Sequence, residues 1–295
     1  MGYRYDCSGK WFKGNVHMHT TRSDGGLTLR EGASFYADRG YDFICITDHM
    51  VPFVAEEHDE RWPLLVLDGV ELHGEDERGM LFHVVCLGNV AGVRPDMGLM
   101  EALERVRTQG SFLIWAHPHW SSNLVTEGLH HKFHGIEVCN YLSQIGQGKG
   151  MGAFHWDLVL ERHDPDLLGF AVDDAHFFKD IPAEPGAWIM VNAPEPTEDA
   201  IMAAIRKGNF YSSTGPAFTS IMIEKRNRVV IETSPVVHVR LIGPRENAKW
   251  RNTLGKEPMT SAHFRIPEEW GYARLEIEDS FGKTAWSNPL LRKKK

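Results

Sequence analysis

Gly14-Asn-Val-His17-Met-His19-Thr-Thr-Arg-Ser-Asp24-Gly25 follows an apolar run, places two histidines at i and i+2, and brings an aspartate in a turn five residues later. On an extended strand, i and i+2 project to the same side. His17 and His19 can therefore address one ion from one face. The same event, an apolar run ending in an imidazole or a carboxylate, recurs along most of the chain and sets the expected fold.

Working outward, Thr28-Leu-Arg-Glu31 reads as a capping box. It opens a helix with Leu29, Ala33 and Tyr36 on one stripe, stopped by Gly40. Residues 41–46 read as a strand running into Thr47-Asp48-His49, and 64–67 lead to Gly69-Val-Glu71. The apolar run 81–87 carries His83 inside it. A helix from Met97 to Gly110 has Leu99, Leu103 and Val106 at helical spacing, and 112–116 then deliver His117-Pro118-His119. Strands at 135–139, 167–172 and 188–191 alternate with helices at 153–162 and from Thr197 to Gly208; the second of these strands ends in Asp173-Asp174-Ala-His176. Such alternation predicts βαβ units and a parallel sheet, and about seven units suggest a closed or nearly closed barrel. After Gly215-Pro216 only alternating strand patterns follow, at 221–224, 229–232, 237–242, 273–278 and 284–286. The expected division is an α/β unit over residues 1–215 and a small antiparallel β module over 216–295, each within normal domain size.

A chain of 295 residues can bury a substantial core, and 42% hydrophobic with 24% charged residues is the balance of a soluble globular protein. A formal charge of −8 argues against a broad nucleic-acid footprint or an anionic membrane surface. The start lacks a charged segment followed by an apolar one, and no apolar run is long enough to span a bilayer. Cys45, Cys86 and Cys139 sit in apolar strand-like runs, and with Cys7 they suggest no disulfide framework, so a reducing cytoplasm is the expected home.

The chemistry gathers at the strand ends: His17, His19, His49, Glu71, His117, Asp174 and His176. Active sites of parallel barrels form at the C-terminal strand ends. Imidazole and carboxylate suit zinc, manganese and iron, and the lack of cysteine there argues against a structural zinc site.

His17-x-His19-x-x-x-x-Asp24-Gly25, Thr47-Asp48-His49, Gly69-Val-Glu71, His83, Ala116-His117-Pro118 and Asp174-Ala-His176 together resemble the successive motifs of the PHP (polymerase and histidinol phosphatase) family, over roughly residues 13–215. The resemblance implies a distorted (β/α)7 barrel holding two or three divalent metals (Mn, Zn or Fe). Carried over position by position, it implies His17, His19, Glu71 and Asp174 for the first metal. Glu71 would bridge to a second with His83 and His117, and Asp24, His49 and His176 would hold a third. Asp24 stands where some relatives have histidine, and carboxylate favours harder ions. Asn209-Phe-Tyr-Ser-Ser-Thr-Gly215-Pro216 and the β tail resemble the branch that includes carbamate (carbaryl) hydrolases.

Metals about 3.5–4 Å apart can lower the pKa of a water and clamp both attacking and leaving oxygens. The expected nucleophile is metal-bound hydroxide; Gly-x-Ser-x-Gly is absent and no cysteine stands at a strand end. Arg22, His119, His131 and Lys132 are candidates to meet an anionic substrate, with His119 the best general acid because it follows His117 by two. Asp48 is expected to orient a ligand histidine. His73, His130, His134, His155, His163, His238 and His263 are assigned surface or structural roles. The leading function is a phosphoesterase acting on a small-molecule anionic ester, a phosphomonoester or phosphodiester. A carbamate or carboxyl ester hydrolase and a non-enzymatic metal-binding accessory module are the alternatives. Neither a membrane nor nucleic acid is the expected partner, and the oligomeric state is open.

Overall fold

A computed structural model describes residues 2–58, 61–181 and 185–292. Strands β1 (Gly2–Tyr3) and β2 (Lys10–Asn15) precede helix α1 (Leu29–Ala37). Thr28 caps α1 as expected: its hydroxyl accepts from the Glu31 N–H while the Glu31 carboxylate accepts from the Thr28 N–H. Next come β3 (Phe43–Cys45), β4 (Leu65–Leu67), β5 (Gly69–Glu75), β6 (Leu81–Leu87), α2 (Leu99–Thr108), β7 (Phe112–Trp115) and the short α3 (Val125–Gly128). Then follow β8 (Gly135–Asn140), α4 (Tyr141–Gln147), α5 (Ala153–Arg162), β9 (Leu168–Val172), β10 (Trp188–Ala193), α6 (Glu198–Lys207) and β11 (Phe210–Ser213).

Of the closed or nearly closed barrel expected, the described strands β2 to β10 form two sheets and not one continuous hydrogen-bonded ring. Among the described residues, β10-β2-β3-β4 belong to one sheet and β5-β6-β7-β8-β9 to another. The two meet through isolated parallel bridges, Met18 with Ala175 and His49 with Glu71. Both sheets contribute to one interior cluster that includes Val16, Phe43, Leu67, Val85, Ile114, Phe170 and Val191, so their inner faces share a core.

Nor is the pairing all parallel. β6 runs antiparallel to both β5 and β7, and β10 antiparallel to β2. The β5–β6 turn explains the first case: residues 76–80 are too few for a parallel crossover, which needs about a dozen. Gly79 takes φ 74°, and the Asp76 carboxylate accepts from the Arg78 and Met80 N–H groups. The reversal places His83, near the start of β6, beside the ends of the parallel strands.

The remaining strands are β12 (Phe218–Glu224), β13 (Arg228–Val236), β14 (His238–Ile242), β15 (Ala248–Asn252), β16 (Met259–Arg265), β17 (Arg274–Glu278), β18 (Thr284–Ser287) and β19 (Leu291–Arg292), the last paired with β1. β15-β14-β17-β18 continue the first sheet through β11, and β12-β13-β16 form a separate sheet. The two pack over Phe218, Val229, Ile231, Phe264, Val239, Leu241, Leu275 and Ile277. Arg274, 2% exposed, binds both Asp157 oxygens at 2.7 and 2.8 Å and ties β17 to α5 with a bidentate pair. The sequence reading missed β11, β15 and β16. β15 and β16 are polar edge strands with one weakly apolar face, the pattern least distinct from loop. No described helix is long and apolar enough to cross a membrane, and all four cysteines are free.

Candidate metal centre

β2 ends at Asn15, but the chain stays extended beyond it. The His19 N–H donates to the Ala175 carbonyl at 2.8 Å, and the Ala175 N–H donates to that of His17 at 3.2 Å. His17 and His19 therefore share a side, and their Nε2 atoms lie 3.1 Å apart.

Glu71, 1% exposed on β5, stands at the centre. Its Oε2 is 3.2 Å from His17 Nε2, 3.1 Å from His19 Nε2 and 3.1 Å from His49 Nδ1. Its Oε1 is 3.0 Å from His83 Nδ1 and 3.3 Å from His117 Nε2. Asp174 approaches from the end of β9, with Oδ1 3.1 Å from His17 Nε2 and 3.3 Å from His19 Nε2. Asp24 Oδ2 reaches His176 Nε2 at 3.4 Å and His49 Nε2 at 3.7 Å. All nine residues implied by the family resemblance are thus brought together. His49 differs from its expected place in one group only, since its two nitrogens face Glu71 and Asp24 at once. His117 (φ 26°) and Asp174 (φ 55°) both hold a backbone conformation that costs non-glycine residues of order 1–3 kcal/mol, the kind of strain that persists at functional sites.

Behind this layer stands Glu137, in the middle of β8 and 1% exposed, which the sequence reading passed over. Its Oε1 accepts from His17 Nδ1 at 2.6 Å; its Oε2 accepts from the His117 N–H at 2.8 Å and Asn140 Nδ2 at 2.9 Å. With Nδ1 donating to Glu137, neutral His17 presents its Nε2 lone pair to the cluster. A lone carboxylate between Ile136 and Val138 in an apolar strand was the available signal. Glu137→Gln is expected to weaken metal binding by about 10- to 100-fold with the fold intact, because one of its two accepting oxygens becomes an NH2 that can only donate. Competition against a chromogenic chelator measures this, and unchanged affinity would remove Glu137 from the account.

Burial opposes charge on Glu71 and Asp174, yet the surrounding imidazoles hold both carboxyls well below their usual range. Burial likewise opposes charge on His17, but Asp174, Glu71 and Glu137 raise it overall. His117 is raised in the same way, and His19 reaches about 9. Burial takes His49 the other way, to about 4, assisted by the His19 and His83 charges.

The other expected residues are placed elsewhere. The chain turns at His117 rather than staying extended, so His119 points away: it is exposed and does not line the cavity at the cluster. That corrects its assignment as the acid at the mouth. Arg22 is exposed, donates to the Pro52 carbonyl at 3.1 Å, and does not line the cavity either. His131 is buried 3.3 Å from Asp76, and Lys132 lines a different cavity. Asp48 holds the 20–23 loop, accepting from the Thr20 N–H and hydroxyl and from the Ser23 hydroxyl, each at 2.7 Å. His73 stands closer than expected, with Nδ1 3.2 Å from His49 Nδ1. Trp120, Leu142, Ser143, Gln147 and Phe178 complete the walls of the cavity, about 200 Å³ in volume. No sequence pattern marked these five.

The donor set fits divalent cations. Asp174 Oδ1 is buried without a hydrogen-bond partner, and it faces the Nε2 atoms of His17 and His19. Single donor atoms from His17, His19 and Glu71 lie within 4.8 Å of one another, as do those of His49, Glu71 and His83, and of His19, Asp24, His49 and His176. Imidazole with carboxylate is a donor chemistry for Zn, Mn or Fe.

No family model matches the chain. A segment of 37 residues is 49% identical to DNA polymerase/3'-5' exonuclease PolX of Bacillus subtilis (strain 168), covering 12% of this chain and 6% of that protein. This chain therefore spans a small fraction of that relative's length. Among solved structures, a two-domain protein from Bacteroides vulgatus ATCC 8482 contains a predicted PHP-like metal-dependent phosphoesterase. It superposes with a TM-score of 0.53 at 18% identity, covering 92% of this chain and 90% of that one. An amidohydrolase from Chromobacterium violaceum gives 0.41 at 15% identity over 67% and 96%. The likeness to the Bacteroides protein is one of fold: mixed α/β, rich in sheet, with a histidine and carboxylate cluster here that could bind metal.

Proposed function

We propose that this chain is a metal-dependent hydrolase of the PHP type, and that its substrate is a small phosphomonoester or phosphodiester. The observation that carries the reading is Glu71, one buried carboxylate within 3.3 Å of five imidazoles. His17, His19, Glu71 and Asp174 would hold one cation, Glu71, His83 and His117 a second, and Asp24, His49 and His176 a third. Cations held there would lower the pKa of a water and polarise the ester oxygen. Glu137 fixes the tautomer of His17, and Ser121 Oγ, 3.2 Å from His117 Nδ1, steadies the ring of His117. Trp120, Leu142 and Phe178 narrow the mouth and limit water. The hydrolytic unit is taken as residues 1–215, with 216–295 as an appended β module.

A second reading, a carbamate or carboxyl ester hydrolase, is favoured by one feature: among the described residues no Lys or Arg lines the cavity, while three apolar side chains do. Charge on a phosphate would then be met by the cations alone. A panel of p-nitrophenyl phosphate, bis-p-nitrophenyl phosphate and an aryl carbamate, assayed with added Mn or Zn, separates the readings. Turnover of either phosphate is expected; turnover of the carbamate alone would replace the first reading with the second.

A further inference from the structure

A groove of about 680 Å³ lies away from the metal centre's residues, where β15 and β16 expose the edges of two different sheets. Arg228, Lys249, Trp250, Arg251, His263 and Arg265 line it, and among the described residues no acidic one does. In a chain with 40 acidic and 32 basic residues, that exclusion is a local reversal of charge. Among the described residues only Arg228 of the four permanent cations has a carboxylate partner, Glu224 at 2.7 Å. Lys249 Nζ donates to the Arg265 carbonyl at 2.7 Å and so spans the two edges. The Arg251 guanidinium sits 5.3 Å from the centre of the Phe264 ring, which steadies it at the groove. Trp250 is 64% exposed. Charge on an edge strand is a common guard against unwanted pairing. Guarding accounts for Lys249, Arg251 and Arg265, all on edge strands. It does not account for Arg228, on the central strand β13, or for an exposed indole.

We propose that this groove binds single-stranded nucleic acid, with the cations on successive phosphates and a base against Trp250. Guanidinium matches phosphate with paired donors, and an exposed indole offers the sequence-tolerant stacking surface that such sites use. An acidic peptide would satisfy the charges but would leave the indole unused.

The test uses the full chain in EDTA, so that binding is read apart from hydrolysis and does not depend on the metal-site reading. A fluorescein-labelled oligothymidylate about twelve nucleotides long is titrated by anisotropy at low salt. Saturable binding is expected, tighter than for a duplex of equal length. With three or four phosphates neutralised, a fourfold rise in salt should weaken it by roughly twenty- to fifty-fold. K249A/R251A should weaken it about tenfold or more, and W250A roughly fivefold or more. Turnover of the small ester should be unchanged in both variants. Should the double variant fail to fold, W250A and R265A at exposed positions carry the test. No saturation at roughly 50 µM protein, equal binding by the variants, or equal competition by polyglutamate would overturn the proposal.

Discussion

Glu71→Gln is expected to lower turnover to about a thousandth of the unaltered protein or less. The residue contacts His17, His19 and His49 through one oxygen and His83 and His117 through the other, so it is the only described carboxylate that touches both groups of imidazoles. A glutamine keeps the volume on β5 but presents a neutral amide, half of it a donor. Two cations would then share a site without their common anion. Several kcal/mol of charge stabilisation is the usual contribution of such a centre, and each 1.36 kcal/mol is a factor of ten in rate. Steady-state kinetics with saturating metal, beside circular dichroism of the variant, separates this from unfolding. A folded variant retaining more than about a tenth of normal turnover would show that Glu71 is not the bridge.

The second large effect is on metal affinity as a function of pH. His19 is raised from 6.5 to about 9 by Asp174 and Glu71 against the cost of its burial, and His17 and His117 are raised too. A raised imidazole pKa means the folded protein holds that proton more tightly than the unfolded chain does. The stability it contributes is full below about 6.5 and is lost as pH rises through about 9. Metal uptake runs the other way, because each cation must displace protons from the same nitrogens. Affinity should therefore rise about tenfold per pH unit between 7 and 9 for each proton displaced, while the thermal midpoint of the demetallated protein falls over the same range. Calorimetric titration in two buffers of different ionisation enthalpy counts the protons released. An affinity flat across this range, with no proton release, would mean the cations bind elsewhere.

What the sequence revealed followed from local rules. The i, i+2 spacing of His17 and His19 needs only an extended chain, and the Thr28 capping box needs only four residues. The carboxylates and imidazoles at successive strand ends were legible because a single long motif pattern carried them. What escaped depended on contacts distant in sequence. Glu137 matters because it meets His17, 120 residues away, and nothing local to β8 says so beyond an acid in an apolar strand. The rim of Trp120, Leu142 and Phe178 is assembled from two connections and the helix α4, with no shared pattern. His119 was misplaced because alternation was carried past the point where the backbone turns, at a positive φ that composition does not announce. Hydrophobic runs alone do not encode strand direction, and β6 and β10 run antiparallel to their neighbours. The short 76–80 connection between β5 and β6 held the correction, since it admits only a hairpin.

The most direct measurement is the metal content of the purified chain by mass spectrometry, paired with turnover before and after exhaustive chelation. The account predicts two or three equivalents of Mn, Zn or Fe per chain, hydrolysis lost on stripping, and hydrolysis restored by adding the same ion back. A stripped chain that still hydrolyses its ester at the original rate would contradict it.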